Sequence, residues 1–219
     1  MSKYVYLNMN GSHGIILSQI KPCSMVLEMG CAVGHMTKYM HDVLNCTVHI
    51  VEIDEDACKT ASQYANDWYC GNLEEDGWRE YYCQYKYDYI LFADVLEHLK
   101  NPSEVLERAV TLLKDDGRVI ISIPNICHND ILMQMYYNHW NYTGLGLLDN
   151  THLRFWGKDE LETLVNSKGL MIEKYSTVNV PLFGTEQRPM FKVNDDLIKL
   201  LRQREYGDVY QWIITCKKG

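Results

Sequence analysis

The stretch Val26-Leu27-Glu28-Met29-Gly30-Cys31-Ala32-Val33-Gly34 decides the fold. An apolar run ends in an acid, a glycine-rich turn follows, and a helix-like segment runs from about His35 to Leu44. This is the pattern of a buried parallel strand, a tight turn and a helix start, the place where an open α/β sheet binds a nucleotide-like ligand. A second apolar run, Cys46 to Val51, ends in Glu52. An acid there can accept hydrogen bonds from both hydroxyls of a ribose. The two together predict a pocket for an adenosine-bearing cofactor.

The glycine spacing narrows the cofactor. A dinucleotide fingerprint reads G-x-G-x-x-G, clearing room for a pyrophosphate. Here the spacing is Gly30-x-Ala32-x-Gly34 behind Glu28, and no Lys-Ser/Thr pair follows, so a P-loop is excluded. An acid at the end of the first strand repels a pyrophosphate and suits an ammonium group. A nicotinamide-dependent oxidoreductase is therefore the weakest reading.

At these residues the chain resembles the class I S-adenosylmethionine-dependent methyltransferases, with Ala32 in place of the middle glycine. Two further stretches look like the family's fourth strand with its following motif and its fifth strand with the turn before it. They are Tyr87 to Leu99 and Leu112 to Asn125. Gly146-Leu147-Leu148-Asp149-Asn150-Thr151-His152-Leu153-Arg154-Phe155-Trp156 is similar to a bacterial subgroup found beside, or fused to, glycosyltransferases of cell-surface polysaccharide.

The resemblance implies a Rossmann-like, seven-stranded, mostly parallel sheet with helices on both faces. The alternation along the chain points the same way, through right-handed crossovers. Helices are expected at 12–20, 34–44, 55–68, 102–114, 158–168 and 194–204, and strands at 24–29, 46–52, 87–92, 117–123, 169–179 and 208–217. A third strand precedes Cys70-Gly71. Pro102, with Asn101 as a candidate cap, marks one helix start. By analogy the last strand inserts antiparallel beside the fifth. Residues 1–219 read as one methyltransferase domain, and 125–157, rich in His, Asn, Tyr and Trp, as an insertion after the fifth strand that acts as a substrate lid.

The implied cofactor is S-adenosylmethionine, leaving S-adenosylhomocysteine as product. Gly30, Cys31 and Gly34 bring backbone amides to the methionine moiety, and Glu28 lies near its amino group. Glu52 holds the ribose and Ile53 covers one adenine face. Asn72, where the family usually has Asp, and Leu73 meet the adenine edge; Ala93 and Asp94 flank the sulfonium.

For a hydroxyl acceptor a base is needed, and histidine is poised for that near neutrality. His152 is the first choice and His98 the second. Asp94-x-x-Glu97-His98 also resembles the metal motif of methyltransferases that act on small-RNA 3′ ends and in ubiquinone biosynthesis, with His152 as the downstream ligand. Asp94 shortens the first ligand, and a divalent metal is not favoured. Tyr136, Tyr137, Trp140 and Tyr142 cluster in the insertion and suit sugar faces.

The remaining bounds come from composition. Of 219 residues 47% are hydrophobic, enough for a full core, and the net charge is -8. That balance makes nucleic acid an unexpected partner, since phosphate contacts need clustered Lys and Arg. The acceptor is expected to be a small molecule or glycan precursor. Two alternatives are a metal-dependent RNA 2′-O-methyltransferase and a non-catalytic S-adenosylmethionine-binding partner protein. No membrane-spanning segment or signal pattern is evident, eight cysteines fall outside C-x-x-C pairs, and a cytoplasmic protein with reduced thiols is expected. Assembly into a homodimer stays open.

Overall fold

The computed structural model describes residues 8–219. The elements are α1 (Ser12–Leu17), β1 (Met25–Met29), α2 (His35–Asp42), β2 (Thr47–Glu52), α3 (Glu55–Ala61), β3 (Asp67–Cys70), α4 (Gly77–Tyr81), β4 (Tyr87–Ala93), α5 (Pro102–Val110), β5 (Leu113–Pro124), α6 (Asn129–Tyr136), α7 (Lys158–Asn166), β6 (Leu170–Asn179), α8 (Asp195–Leu201) and β7 (Val209–Lys218). A single 3₁₀ turn covers Leu96–His98. The strands form one sheet in the order β3-β2-β1-β4-β5-β7-β6. β1 to β5 run parallel, and β7 lies antiparallel between β5 and β6. This is the Rossmann-like arrangement the sequence implied.

Strand parity sorts the core. Leu27, Met29, Ile90 and Phe92 point to the face covered by α4, α5 and α7, where Trp78, Leu106 and Val165 are buried. Val26, Val48, Ile50 and Leu91 point to the other face, against Ile16 of α1, Met36 and Met40 of α2 and Ala61 of α3. Because successive strand residues alternate sides, Glu28 follows Val26 and Glu52 follows Ile50 onto the α2 face. Both acids are buried there, at 3% and 7% exposure.

Several boundaries differ from expectation. The helix expected over 55–68 ends at Ala61, and Trp68 is in β3. Asn66 explains the early stop. Its amide donates to the Val48 carbonyl and its side-chain oxygen accepts the Val48 amide, which draws the chain into the sheet. The helix at 102–114 ends at Val110, because Leu113 already pairs with Tyr87 and a register shift follows. Asn101 occupies the cap position of α5 but makes no capping bond with its side chain. The leading helix stops at Leu17 rather than residue 20, and α4 was not anticipated.

The expectation that all thiols are reduced is also corrected. Cys58 of α3 and Cys70 at the end of β3 form a disulfide, their Cα atoms 6.0 Å apart. Packing of α3 over the β2–β3 edge brings the two together, a pairing that a separation of 12 residues does not announce. Six cysteines remain free. No helix among the described residues is long and apolar enough to cross a membrane.

Phe92 is fully buried at the centre of the α5 face. Phe92→Ala is expected to cost about 3–5 kcal/mol in urea unfolding; a loss below about 1 kcal/mol contradicts this packing.

Candidate active site

The parallel registers Met29↔Val51 and Met29↔Phe92 bring the ends of β1, β2 and β4 to one edge of the sheet. Gly30, Glu52 and Ala93 are the next residues along those strands or their last ones, so they converge there. The turn after β1 is left-handed three times, at Gly30 (φ 67°), Ala32 (φ 50°) and Gly34 (φ 79°). A Cβ on Gly30 would sit 2.7 Å from a Val95 methyl, so only glycine fits. Ala32 carries a strain of about 1–2 kcal/mol for that conformation. Cys31 is buried in the α2-face core, and burial pushes its thiol up, so its side chain packs while its carbonyl accepts the Gly34 amide.

Glu52 ties two loops together. One carboxylate oxygen accepts the Ala32 amide at 2.8 Å, and the other accepts those of Ile53 and Asp54 at 2.9 and 3.0 Å. A carboxylate has about four acceptor sites, so one remains for a ribose hydroxyl. Ile53 is 66% exposed and stands beside Glu52, free to cover an adenine face. The Asn72 side-chain oxygen accepts the Glu74 amide at 2.9 Å, which shapes the loop and leaves its second lone pair for another donor. Leu73 is buried in the core, and its carbonyl accepts the Trp78 indole N–H at 2.8 Å.

Two more acids complete the cofactor side. Glu28 accepts the Thr37 hydroxyl at 2.6 Å, and burial raises its carboxyl to about 7. Asp94 adopts a left-handed φ of 57° at the end of β4. It accepts the Ser122 hydroxyl at 3.0 Å and the Gln211 side-chain amide, and burial again raises its pKa. His13 of α1 feels the field of Asp94, against the larger effect of its own burial.

His98 and His152 lie side by side. Their rings are 4.9 Å apart, edge to face, and His98 Nδ1 lies 3.2 Å from the Thr151 hydroxyl. Burial first, then His98, lowers the His152 pKa, which leaves that imidazole neutral near pH 7. Glu97 lies beside them, 1% exposed, with neither carboxylate oxygen hydrogen-bonded. Its carbonyl accepts the amides of Leu153 and Arg154, which fastens the insertion to the 3₁₀ turn. Among the described residues, one ligand atom each from Glu97, His98 and His152 falls within 4.8 Å of the others, so these three could together hold a cation. Asp94 is not among them; its carboxylate accepts the Ser122 hydroxyl and the Gln211 amide. Arg154 donates to the Lys100 carbonyl, a structural bond.

The insertion presents an aromatic wall. Trp140 packs edge-on against Phe155 at 5.6 Å, and Phe155 against His152 at 6.3 Å. Tyr136 and Tyr142 are 66% and 58% exposed, while the Tyr137 hydroxyl accepts the Asn194 amide. Glu186 accepts the Leu147 amide at 2.6 Å, and Asp130 accepts the amides of Phe183 and Thr185, so the insertion is tied to the loop after β6. Sequence reasoning missed Thr37, Ser122, Gln211 and His13. Only Thr37, one turn past Gly34, carried a local signal.

Comparisons with known proteins agree with this geometry. Residues 16–175 match a family described as a methyltransferase domain. The chain is 24% identical over 116 residues to malonyl-[acyl-carrier protein] O-methyltransferase of Anoxybacillus flavithermus, covering 51% of this chain and 43% of that protein. It is 29% identical over 107 residues to ubiquinone biosynthesis O-methyltransferase of Glaesserella parasuis, covering 46% and 45%. The match thus spans less than half the length of each of these relatives. A crystal structure of an S-adenosylmethionine-dependent methyltransferase from Archaeoglobus fulgidus shares the fold, with a TM-score of 0.65, 17% identity and 96% of each chain covered. With the family's match running from α1 into β6, the chain belongs to the methyltransferase domain family, whose cofactor is S-adenosylmethionine.

Proposed function

We propose that the chain transfers the methyl group of S-adenosylmethionine to a hydroxyl on a small molecule or glycan precursor. The observation that carries this reading is the meeting of the Glu28–Glu52–Asp94 edge with the His98–His152 pair. Both curated relatives are named O-methyltransferases, which supports an oxygen acceptor. The stretch from Gly146 to Trp156 and the aromatic wall support a sugar face.

Methyl transfer from a sulfonium is an in-line displacement. The acceptor oxygen attacks the methyl carbon, the C–S bond breaks, and its electron pair stays on sulfur as a thioether. The protein supplies alignment, since the electrophile is already activated. The neutral His152 imidazole takes the hydroxyl proton, and His98 and Thr151 fix its neighbourhood. Glu28 receives the cofactor's ammonium group.

Replacing His152 by Ala is expected to lower turnover by about 10²–10⁴-fold while S-adenosylhomocysteine binds as before. An acceptor screen over sugar nucleotides supplies the assay, and full activity of the variant contradicts the assignment. Turnover is expected to survive dialysis against EDTA; a loss restored by a divalent cation would instead assign Glu97, His98 and His152 as metal ligands.

The Glu28 carboxyl gives a pH signature. From its ordinary 4.5 up to about 7, the folded chain keeps a proton that the unfolded chain has lost, so stability from this group falls as pH rises across that window. An ammonium beside it favours the carboxylate, so cofactor binding releases the proton. S-adenosylhomocysteine affinity is expected to fall as pH drops below 7, by up to about tenfold per unit. Glu28→Gln flattens that profile. A flat wild-type profile, or an unchanged slope in the variant, contradicts the role.

A further inference from the structure

A second cleft opens on the same edge of the sheet, beyond the transfer site. It has a volume of about 270 Å³ and is lined by Thr177 and Asn179 of β6 and by Arg202, Arg204, Tyr206 and Asp208 between α8 and β7. The two guanidinium groups are its distinctive feature. Among the described residues neither has a carboxylate partner. Arg204 donates to two neutral oxygens, the Cys127 carbonyl and the Asn129 side chain, at 3.1 and 2.8 Å. Those bonds orient the fork without cancelling its charge. Asn129 is itself 1% exposed and held by the Leu201 carbonyl and Asp208, so the support is rigid. Many other basic side chains of the fold, such as Lys38, Arg108, Lys114, Arg118 and Lys158, do face acids.

Two arginines against the one acid of the cleft leave a local positive charge in a chain of net charge -8. A planar guanidinium fork matches phosphate oxygens in pairs, and hydroxyl and amide groups beside it suit the remaining oxygens or a sugar. The position is also informative. Asn179 pairs with Val209, and two residues further along β7 Gln211 reaches Asp94. The strands that line it lie two to three spacings from β4, a lateral offset of about 10–14 Å at ~4.8 Å per strand. That is the reach between a sugar hydroxyl and a diphosphate on the same molecule.

We propose that this cleft binds a phosphoryl group of the acceptor, so that the substrate is a phosphate- or diphosphate-bearing sugar. The proposal rests on the methyltransferase reading and specifies its substrate class. Arg202 and Arg204 hold the anion, and the aromatic wall and His152 receive the sugar.

The test is calorimetric titration of the S-adenosylhomocysteine-loaded protein with inorganic phosphate, pyrophosphate and UDP-glucose. Pyrophosphate and UDP-glucose are expected to bind competitively. Arg202→Gln/Arg204→Gln is expected to weaken both by roughly tenfold or more, with S-adenosylhomocysteine affinity unchanged. Arg202 is exposed, so Arg202→Gln alone tests the cleft without threatening the fold and is expected to weaken both several-fold. The proposal is overturned if the wild type binds neither pyrophosphate nor UDP-glucose, or if the variants bind them as tightly. It is also overturned if inorganic phosphate binds as well as UDP-glucose, which would mark a free-phosphate site. Absence of S-adenosylhomocysteine binding is a separate result: it removes the methyltransferase reading, while the anion titrations on the unloaded protein still decide the cleft.

Discussion

One carboxylate organises the cofactor edge. Glu52 accepts three backbone amides, one from the turn after β1 and two from the segment entering α3. Charge-assisted bonds of this kind contribute about 1.5–3 kcal/mol each. That is enough to hold Ala32 in a left-handed conformation that alanine disfavours. The turn in turn sets Gly34 as the start of α2, which places Thr37 over Glu28. Loss of the Glu52 carboxylate would therefore disturb the turn after β1 and the entry to α3 together.

The edge divides into two electrostatic halves. On the β1–β2–β4 side lie three buried acids, Glu28, Glu52 and Asp94. On the β7–β6 side, two guanidinium groups without a carboxylate partner among the described residues line a cleft. The insertion lies between, fastened at Glu97 on one side and at Glu186 and Asp130 on the other. In the proposed reading this division separates the acceptor from the cofactor by charge as well as by position.

Much of this was legible in the sequence, for identifiable reasons. Buried parallel strands announce themselves as apolar runs, and the acid after each run is read directly, so Glu28, Glu52 and Asp94 fall where expected. Parity then fixes the face of Glu28 and Glu52, whereas Asp94 lies past the end of β4 in a left-handed turn. What was hidden depends on distant segments. Gln211 reaches Asp94 from 117 positions away, and nothing local to β7 signals it. The Cys58–Cys70 bond needs the packing of α3 on β3. Helix α3 stops short of the expected residue 68 because the pairing of Asn66 with Val48, a contact between distant segments, takes precedence. Asn72 also shapes its own loop through the Glu74 amide, a local bond that its position in the sequence does not announce.

The pocket around Glu52 and the Gly30–Gly34 turn is the central claim, and a calorimetric titration tests it most directly. S-adenosylhomocysteine and NAD are titrated separately into the protein at pH 8. Micromolar binding of the first, with none of the second, is the predicted result. Binding of NAD, or no binding of S-adenosylhomocysteine, would contradict it.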